Sequence, residues 1–185
     1  MNQKKQFMVK NLTITAMMTA ILCVLAPFYI PIGDVPITAA TLVIYIAAVL
    51  LGTKRSIICV ILYILIGMVG IPVFSGWKSG FAVIAGPTGG YLIGYIFIAL
   101  CTGLSQKIGR GKIPKIPMLL LGMLLGTLIC YTLGTTWLAL QLSLSFEAAL
   151  WAGVIPFLLG DIIKFIVTVV IAIPVRRHLV TFIEN

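Results

Sequence analysis

Long apolar stretches, separated by short polar, glycine-rich or proline-rich segments, make up most of this sequence. A helix that spans a membrane needs about 20 mostly apolar residues, with a range of about 17–25. Six stretches fit or approach this length, and they predict transmembrane helices at residues 12–30, 38–51, 56–71, 81–105, 116–140 and 148–175. The sequence therefore predicts an all-α, polytopic membrane bundle that forms a single transmembrane domain over residues 1–185. The second and third stretches are short, so either they form a hairpin in a locally thin region or neighbouring helices partly bury them.

The basic residues are concentrated in four segments: before the first stretch, between the second and third, between the fourth and fifth, and after the sixth. These segments contain Lys4, Lys5, Lys10, Lys54, Arg55, Lys107, Arg110, Lys112, Lys115, Arg176 and Arg177. With six spans, all four segments lie on one side of the membrane, and positively charged loops face the cytoplasm. We therefore expect both termini in the cytoplasm of a cell-membrane protein, with outer loops at 31–37, 72–80 and 141–147.

The overall composition supports a membrane protein and excludes several other classes. The chain is 61% hydrophobic and 9% charged, with a mean hydropathy of +1.20, whereas soluble domains average about 25% charged residues. The net charge of +9 falls in short clusters, not on a basic face, so nucleic-acid binding is not expected. The four cysteines show no C-x-x-C spacing and His178 is the single histidine, so no metal site or cofactor is expected. The apolar stretch after the basic N-terminus runs on to Ile32 without an A-x-A-type signal-peptide cleavage site, which predicts a retained span.

Two of the outer loops have an unusual composition. The first reads "PFYIPIGDVPIT" and contains three prolines, and the second reads "GIPVFSGWKSGFAVIAGPTGGY" and is rich in glycine and aromatic residues. Non-helical backbone near membrane depth is tolerated only where protein or a water-filled cavity satisfies its polar groups. These loops are therefore predicted to fold over the bundle and roof a cavity, although ordinary surface loops are the simpler alternative.

Small residues recur at four-residue spacing in two of the predicted helices. Such stripes let helix backbones approach closely, and ordinary packing within the bundle is the simplest explanation for both. One stripe lies in the fifth stretch and a shorter one in the first: Gly122, Gly126, Cys130 and Gly134, then Ala16 and Ala20.

The sequence lacks the motifs of an enzyme. It contains no G-x-x-x-x-G-K-[ST] phosphate loop and no H-E-x-x-H metal motif. Asp161 is the single acid inside a predicted span, whereas an intramembrane aspartyl protease needs two facing carboxylates. We therefore expect neither catalysis nor an ATPase activity from this chain.

Asp161 and Lys164 lie three residues apart within the most apolar part of the last stretch, "PFLLGDIIKFIV". On a helix, positions i and i+3 share one face. A charge at the bilayer centre costs about 2.5–3.5 kcal/mol by insertion scales. The pair is therefore either an internal ion pair that fixes helix register or a polar anchor inside a cavity. In the second case the carboxylate accepts N–H bonds from a ligand, and the ammonium meets a carbonyl or carboxylate.

Further candidate ligand contacts lie at the outer ends of the predicted spans. In "GPTGGY", Gly89 permits close approach to backbone N–H groups at a helix start, and Thr88 and Tyr91 supply hydroxyls. Several aromatic side chains either pack against an apolar ring of a ligand or anchor the protein at the membrane interface. They are Phe28, Phe74, Trp77 and Trp137.

Four motifs in the same order and spacing make the chain resemble the BioY family over nearly its whole length. They are "VPIT" (35–38), "GIPVFSG" (70–76), "GPTGGYLIGY" (86–95) and "PFLLGDIIK" (156–164). Two positions depart from the family pattern. After "VPIT" the family often has Leu-Gln-Thr where this chain has Ala39, Ala40 and Thr41, which removes a possible polar contact. Many members have a basic residue where this chain has Pro87, so a ligand carboxylate has no side-chain charge at that position.

The resemblance implies a six-helix S-component, the substrate-binding subunit of an energy-coupling factor (ECF) transporter. Such a subunit binds biotin and works with a transmembrane coupling protein and two ATPases; function without these partners is expected for some members. The resemblance also implies that Ala16 and Ala20 form the interface with the coupling protein.

The same resemblance implies a set of residues that bind biotin as the transported ligand. Asp161 is expected to accept the ureido N–H groups, and Lys164 to neutralise the other polar end or to orient Asp161. The full set is Asp161, Lys164, Tyr91, Thr88, Gly89, Thr41, Phe28, Trp77 and Trp137. Two alternatives are an S-component for another vitamin and a stand-alone proton-coupled carrier in which Asp161 is the proton site.

Overall fold

Helices form almost all of the structure, a computed structural model that describes residues 3–31, 35–108 and 115–184. Asp34, Arg110 and Lys112, which the sequence placed in an outer and an inner loop, lie outside the described residues. The elements in chain order are α1 (Gln3–Leu25), β1 (Tyr29–Ile30), β2 (Ile37–Thr38), α2 (Ala40–Leu51), α3 (Thr53–Met68), a 3-10 turn (Ser75–Trp77), α4 (Phe81–Ala85), α5 (Gly89–Ile108), α6 (Ile116–Leu142), α7 (Phe146–Gly153) and α8 (Ile155–Glu184).

Four helical segments within the described ranges are long and apolar enough to cross a membrane. They are Met8–Leu25, Gly89–Gln106, Ile116–Leu142 and Phe146–His178, the last of which joins α7 and α8. They correspond to the first, fourth, fifth and sixth predicted spans. The second and third predicted spans form shorter helices, because α2 has 12 residues and α3 has 16. The structure is therefore that of a mostly helical protein with several membrane-type helices.

The first predicted span ends earlier than its hydropathy indicates. Helix α1 stops at Leu25, two residues before Pro27, whose ring clashes with the preceding turn and whose nitrogen cannot donate a helical hydrogen bond. The chain then forms a small antiparallel hairpin in which Tyr29 pairs with Thr38 and Ile30 with Ile37. Residues 26–30, predicted as helix, thus lead into a hairpin at one end of the bundle.

The fourth predicted span is also interrupted. Helix α4 ends at Ala85 and α5 begins at Gly89, so the segment with Pro87 breaks what the sequence predicted as one helix from 81 to 105. The indole Nε1 of Trp137 on α6 donates to the Gly86 carbonyl at 2.9 Å. This bond satisfies one of the backbone groups that the break leaves without a helical partner.

The sixth predicted span consists of two helices that meet at Val154, whose φ of −130° and ψ of −55° are not helical. Pro156 follows in the first turn of α8, where its missing N–H removes the bond to the Ala152 carbonyl. Helix α7 starts with a Ser145 cap that accepts from the Ala148 N–H at 3.3 Å. The kink thus sets the direction of α8 just before Asp161.

Helices α5 and α6 pack closely along the glycine stripe that the sequence predicted. A Cβ on Gly126 would lie 2.9 Å from the Ile98 Cα, and one on Gly122 would lie 2.7 Å from the Cys101 carbonyl oxygen. From the other side, Gly94 faces Cys130 at a similarly short distance. Small residues on both helices therefore allow their backbones to touch.

A polar cluster joins α2, α5 and α8 at the end of α2 opposite Ala40. The guanidinium of Arg176 donates to the Val49 carbonyl and to Gln106 Oε1. Gln106 Nε2 donates to the Ala48 carbonyl at 2.5 Å. These side chains bond to carbonyls in the last turn of α2, where helical carbonyls run out of backbone donors; the Ala48 carbonyl also accepts from the Gly52 N–H at 3.1 Å.

Candidate binding site

A cavity with a volume of about 110 Å³ lies among α2, α3, α5, α6 and α8. A cavity that holds one buried water has a volume of roughly 10–15 Å³. This cavity is several times larger, so it has room for a small organic molecule. Its lining is unusually rich in phenol rings, with five tyrosines: Tyr45, Tyr63, Tyr91, Tyr95 and Tyr131. Tyrosine offers a large flat apolar surface together with one hydroxyl, which suits a ligand with a ring and a few polar groups.

The two proline- and glycine-rich loop segments contribute to this cavity, in agreement with the sequence prediction that they roof one. Val35 and Pro36 from the hairpin segment line it. Phe74, Ser75 and Lys78 from the segment after α3 do so as well. The two loop segments are therefore part of the cavity wall.

Asp161 and Lys164 both face the cavity from α8, and both are largely shielded from solvent, with side chains 10% and 14% exposed. Lys164 Nζ lies 3.4 Å from Asp161 Oδ1. It also donates to Thr41 Oγ1 in the first turn of α2 at 2.9 Å. The Tyr131 hydroxyl on α6 donates to Asp161 Oδ2. The pair is thus held in place by two neighbouring helices.

This arrangement leaves bonding capacity on both charged groups. An ionised carboxylate has about four acceptor positions and an ammonium three donors. Among the described residues, Asp161 accepts from Tyr131 and Lys164, and Lys164 donates to Asp161 and Thr41. The carboxylate can therefore accept further N–H donors from a ligand, and the ammonium retains a donor for a carbonyl or carboxylate.

The start of α5 supplies two of the expected contacts. Thr88 and Tyr91 both line the cavity. The Tyr91 hydroxyl donates to the Gly153 carbonyl at 3.1 Å and lies 3.4 Å from Thr135 Oγ1. Because its hydroxyl bonds to α6 and α7, the Tyr91 ring is fixed beside the cavity.

Five of the nine residues predicted to bind substrate line the cavity, and four lie elsewhere. The five are Thr41, Thr88, Tyr91, Asp161 and Lys164. Gly89 packs against α4, since a Cβ there would lie 1.7 Å from the Ile84 carbonyl oxygen. Phe28 and Trp77 are exposed and form an edge-to-face pair with centroids 5.7 Å apart. Trp137 bonds to Gly86. Close helix packing and loop contacts thus account for the positions of these four.

Several polar lining residues escaped the sequence analysis. Tyr131 contacts Asp161 directly, and the Tyr45 hydroxyl lies 2.6 Å from Thr127 Oγ1 across α2 and α6. The sequence held one signal for them. Membrane tyrosines are typical of the interface, whereas Tyr45 and Tyr131 fall near the middle of their apolar stretches. Tyrosine in that position indicates a polar partner inside the bundle.

Two further expectations concern sites away from the cavity. Ala16 and Ala20, the predicted partner interface, are exposed on the outer face of α1. Within the described ranges, no three His, Cys, Asp or Glu side chains are grouped so as to hold a metal ion.

The chain is similar to known proteins along almost its entire length. The BioY family model matches residues 1–181. The biotin transporter BioY2 of Lactococcus lactis is 37% identical over 169 residues, covering 91% of each chain. The probable biotin transporter BioY of Pyrococcus horikoshii is 36% identical, covering 88% of this chain and 94% of its own.

A solved structure shows the same fold. The crystal structure of the S-component for biotin from an ECF-type ABC transporter superimposes with a TM-score of 0.83 and 32% sequence identity, covering 96% of this chain and 95% of its own. The match spans the helices and loops that form the cavity described above. Family model, relatives and fold agree with the four motifs, and the chain belongs to the BioY family.

Proposed function

We propose that this protein is the biotin-specific S-component of an ECF-type transporter and takes up biotin across the cytoplasmic membrane. The observation that carries this proposal is the Asp161–Lys164 pair, held by Tyr131 and Thr41 inside a tyrosine-lined cavity. Relatives that share the fold are biotin transporters, and the matching solved structure is an S-component for biotin. The chain acts as a binding subunit, not as an enzyme.

Biotin matches the chemistry of the cavity group by group. Its ureido ring offers two N–H donors and a carbonyl, and the fused sulfur-containing ring is apolar and can pack against phenol side chains. Asp161 accepts the ureido N–H groups, and Lys164 meets the ureido oxygen or orients Asp161. Thr41, Thr88 and Tyr91 complete the polar wall.

The proposed arrangement in the membrane has six spans, with both termini in the cytoplasm, and residues 1–185 act as one domain. The short helices α2 and α3 are separated by Gly52 alone, so they form a tight hairpin in which Lys54 and Arg55 mark the cytoplasmic side. Supporting this, the basic segments alternate with the loops that line the cavity.

The proposed partners are a transmembrane coupling protein and two ATPases, because the chain has no phosphate-binding loop of its own. Helix α1 exposes a face that contains Ala16 and Ala20 together with Leu12 and Met17. Small residues between larger apolar ones permit close packing of another helix in the membrane. This face is the proposed contact with the coupling protein.

Calorimetric titration of the purified full-length protein with biotin tests the function directly. We expect saturable biotin binding and, for Asp161→Asn and for Lys164→Ala, an affinity about tenfold lower or more, since tenfold corresponds to about 1.4 kcal/mol. Glu147→Gln and Lys54→Ala, which lie away from the cavity, are matched charge-removal controls and should bind normally.

Two results would contradict these statements in different ways. A wild-type protein that binds another vitamin but not biotin would refute the assigned ligand. Near-normal biotin affinity in both cavity variants would refute the assigned site while leaving the ligand intact. Uptake into vesicles without ATPases, driven by a pH gradient, would favour the proton-coupled alternative.

A further inference from the structure

The cavity wall carries a second cation besides Lys164. Among the described lining residues, Asp161 is the single carboxylate, and it is paired with Lys164. Lys78 is the other charged lining residue, and it comes from the loop after α3. The described lining residues therefore carry an excess positive charge, and Lys78 on the loop supplies it.

The loop that carries Lys78 is held in an unusual backbone conformation. Gly76 and Trp77 both have positive φ values, of 71° and 61°, and a bulky residue rarely adopts this conformation because it is strained. The two residues reverse the chain so that the Phe74 N–H donates to the Lys78 carbonyl at 3.0 Å. The Gly76 N–H also donates to the Pro27 carbonyl at 3.0 Å. Backbone strain that persists in a binding loop indicates that the surrounding structure enforces it.

Phe74 anchors this loop to the bundle. Its ring is almost completely buried and occupies the space beside Gly67, where a Cβ would lie 2.2 Å from the ring. It also packs edge-to-face on Tyr63, with centroids 5.5 Å apart. The Gly80 N–H donates to the Gly67 carbonyl at 2.7 Å. Ser75 and Lys78 are thus presented to the cavity by a loop that is fixed before ligand binds.

Ser75 has an unsatisfied hydroxyl in this position. Its Oγ is buried and has no hydrogen-bond partner among the described residues, and the residue lines the cavity. Leaving a buried hydroxyl without a partner is unfavourable. An acceptor on a bound molecule would satisfy it, so Ser75 and Lys78 together provide a donor and a positive charge on the same turn.

We propose that Ser75 and Lys78 form the subsite for the carboxylate of the ligand's side chain. Lys78 pairs with the carboxylate and Ser75 donates a hydrogen bond to it, while Asp161 and Lys164 hold the ureido ring. This inference rests on the proposed function, since it assumes that biotin is the ligand. Lys78 would supply a positive charge that position 87 does not, because residue 87 is a proline. A charge-assisted hydrogen bond of this kind is stronger than a neutral one.

The test compares biotin with biotin amide, whose side chain carries no charge, by calorimetric titration of the full-length protein. Wild-type protein should prefer biotin to biotin amide. Lys78→Met should weaken biotin binding about tenfold and leave biotin amide nearly unchanged, because only an ion pair depends on the ligand charge. Lys78→Arg should restore the preference, and Ser75→Ala should weaken biotin binding by a smaller factor. Lys54→Met, the same change outside the cavity, is the control.

Salt concentration gives a second readout, because an exposed charge such as Lys78 is screened as ionic strength rises. The preference for biotin over biotin amide should shrink with salt in the wild type and be absent in Lys78→Met. The subsite would be overturned if Lys78→Met lowered the affinities for biotin and biotin amide equally. It would also be overturned if the preference for biotin over biotin amide were unchanged. A wild-type protein that binds neither ligand would overturn the proposed function instead.

Discussion

Asp161 is oriented by two donors that come from different parts of the fold. Lys164 lies one turn further along α8, whereas Tyr131 reaches across from α6. A carboxylate that is already aimed binds its ligand with less loss of side-chain freedom. In the proposed function, Tyr131 is therefore a positioning residue that orients Asp161 for the ureido ring.

Replacing Tyr131 with phenylalanine tests this role at the scale of one hydroxyl. We expect Tyr131→Phe to weaken biotin binding about three- to tenfold, because the hydrogen bond to Asp161 is present before ligand binds and its loss lowers the affinity only through the freedom that the carboxylate regains. The measurement is a titration with biotin, and Tyr29→Phe, at an exposed tyrosine outside the cavity, is the matched control. Unchanged affinity in Tyr131→Phe would show that Lys164 alone orients the carboxylate.

The sequence predicted some site residues and not others for a physical reason. Asp161 and Lys164 stand out because a charge in an apolar stretch needs an explanation. Tyr95 and Tyr131 carry a weaker signal than a charge: their position in the middle of an apolar stretch indicates a polar partner, but a tyrosine there is also compatible with packing on any face. Phe28 and Trp77 were chosen because they lie near the ends of predicted spans, but they do not line the cavity, and their exposed rings pack on each other.

At the scale of the helices, the contact between α5 and α6 depends on glycines from both sides. Gly94 faces Cys130, and Gly126 faces Ile98. In a membrane, where water does not drive helices together, close backbone contact of this kind supplies much of the association energy. The α5–α6 pair also carries Tyr91, Tyr95 and Tyr131, so its spacing determines the width of the cavity.

Adding one methyl group to the contact between α5 and α6 should destabilise the protein. In Gly94→Ala the new Cβ would lie 2.6 Å from Cys130 Sγ and 2.8 Å from its Cα. We expect a destabilisation of about 1–3 kcal/mol, seen as a lower melting temperature of the protein in detergent. Gly160→Ala on α8 is the matched control, since nothing lies within 4 Å of its Cβ, and alanine should stabilise that helix by about 0.5–1 kcal/mol. Equal melting temperatures for the two variants would contradict the close contact.

Hydropathy predicted the existence of most helices but not their interruptions. Each predicted span begins or ends within a few residues of a helix in the structure, because burial in lipid requires an apolar surface along the whole segment. The breaks near Pro27, Pro87 and Pro156 lie inside apolar stretches. The average hydropathy of a segment does not change at these prolines. Hydropathy therefore cannot show that a backbone hydrogen bond is lost and the helix interrupted. Prolines marked these positions, but Pro174 lies within α8 without ending it.

At the scale of the whole molecule, the two ends of the bundle have different chemistry. The end that holds the cavity is closed by loops with prolines, glycines and aromatic residues. The other end is closed by Arg176 and Gln106, which cap α2. The asymmetry agrees with the proposed orientation, in which the ligand enters from outside and the basic end faces the cytoplasm.

Cysteine labelling in whole cells tests this orientation. In a background without the four native cysteines, Gln141→Cys lies in the last turn of α6, at the end proposed to face outward, and Lys54→Cys lies in the first turn of α3; both positions are exposed. A membrane-impermeant maleimide should label Gln141→Cys in intact cells. It should label Lys54→Cys only after the cells are lysed. The reverse pattern would invert the topology, and labelling of both in intact cells would refute the three spans proposed between the two positions.

The Asp161–Lys164 ion pair also has an electrical consequence. A transmembrane potential does work on net charge that moves, about 2.3 kcal/mol for one elementary charge per 100 mV. The pair carries one charge of each sign within 3.4 Å, so its movement across the membrane field transfers no net charge. If Lys78 and the biotin carboxylate form the second pair, the loaded site is electrically neutral, whereas the empty site keeps the positive charge of Lys78. A membrane potential would then act on movement of the empty site and not on movement of the loaded one.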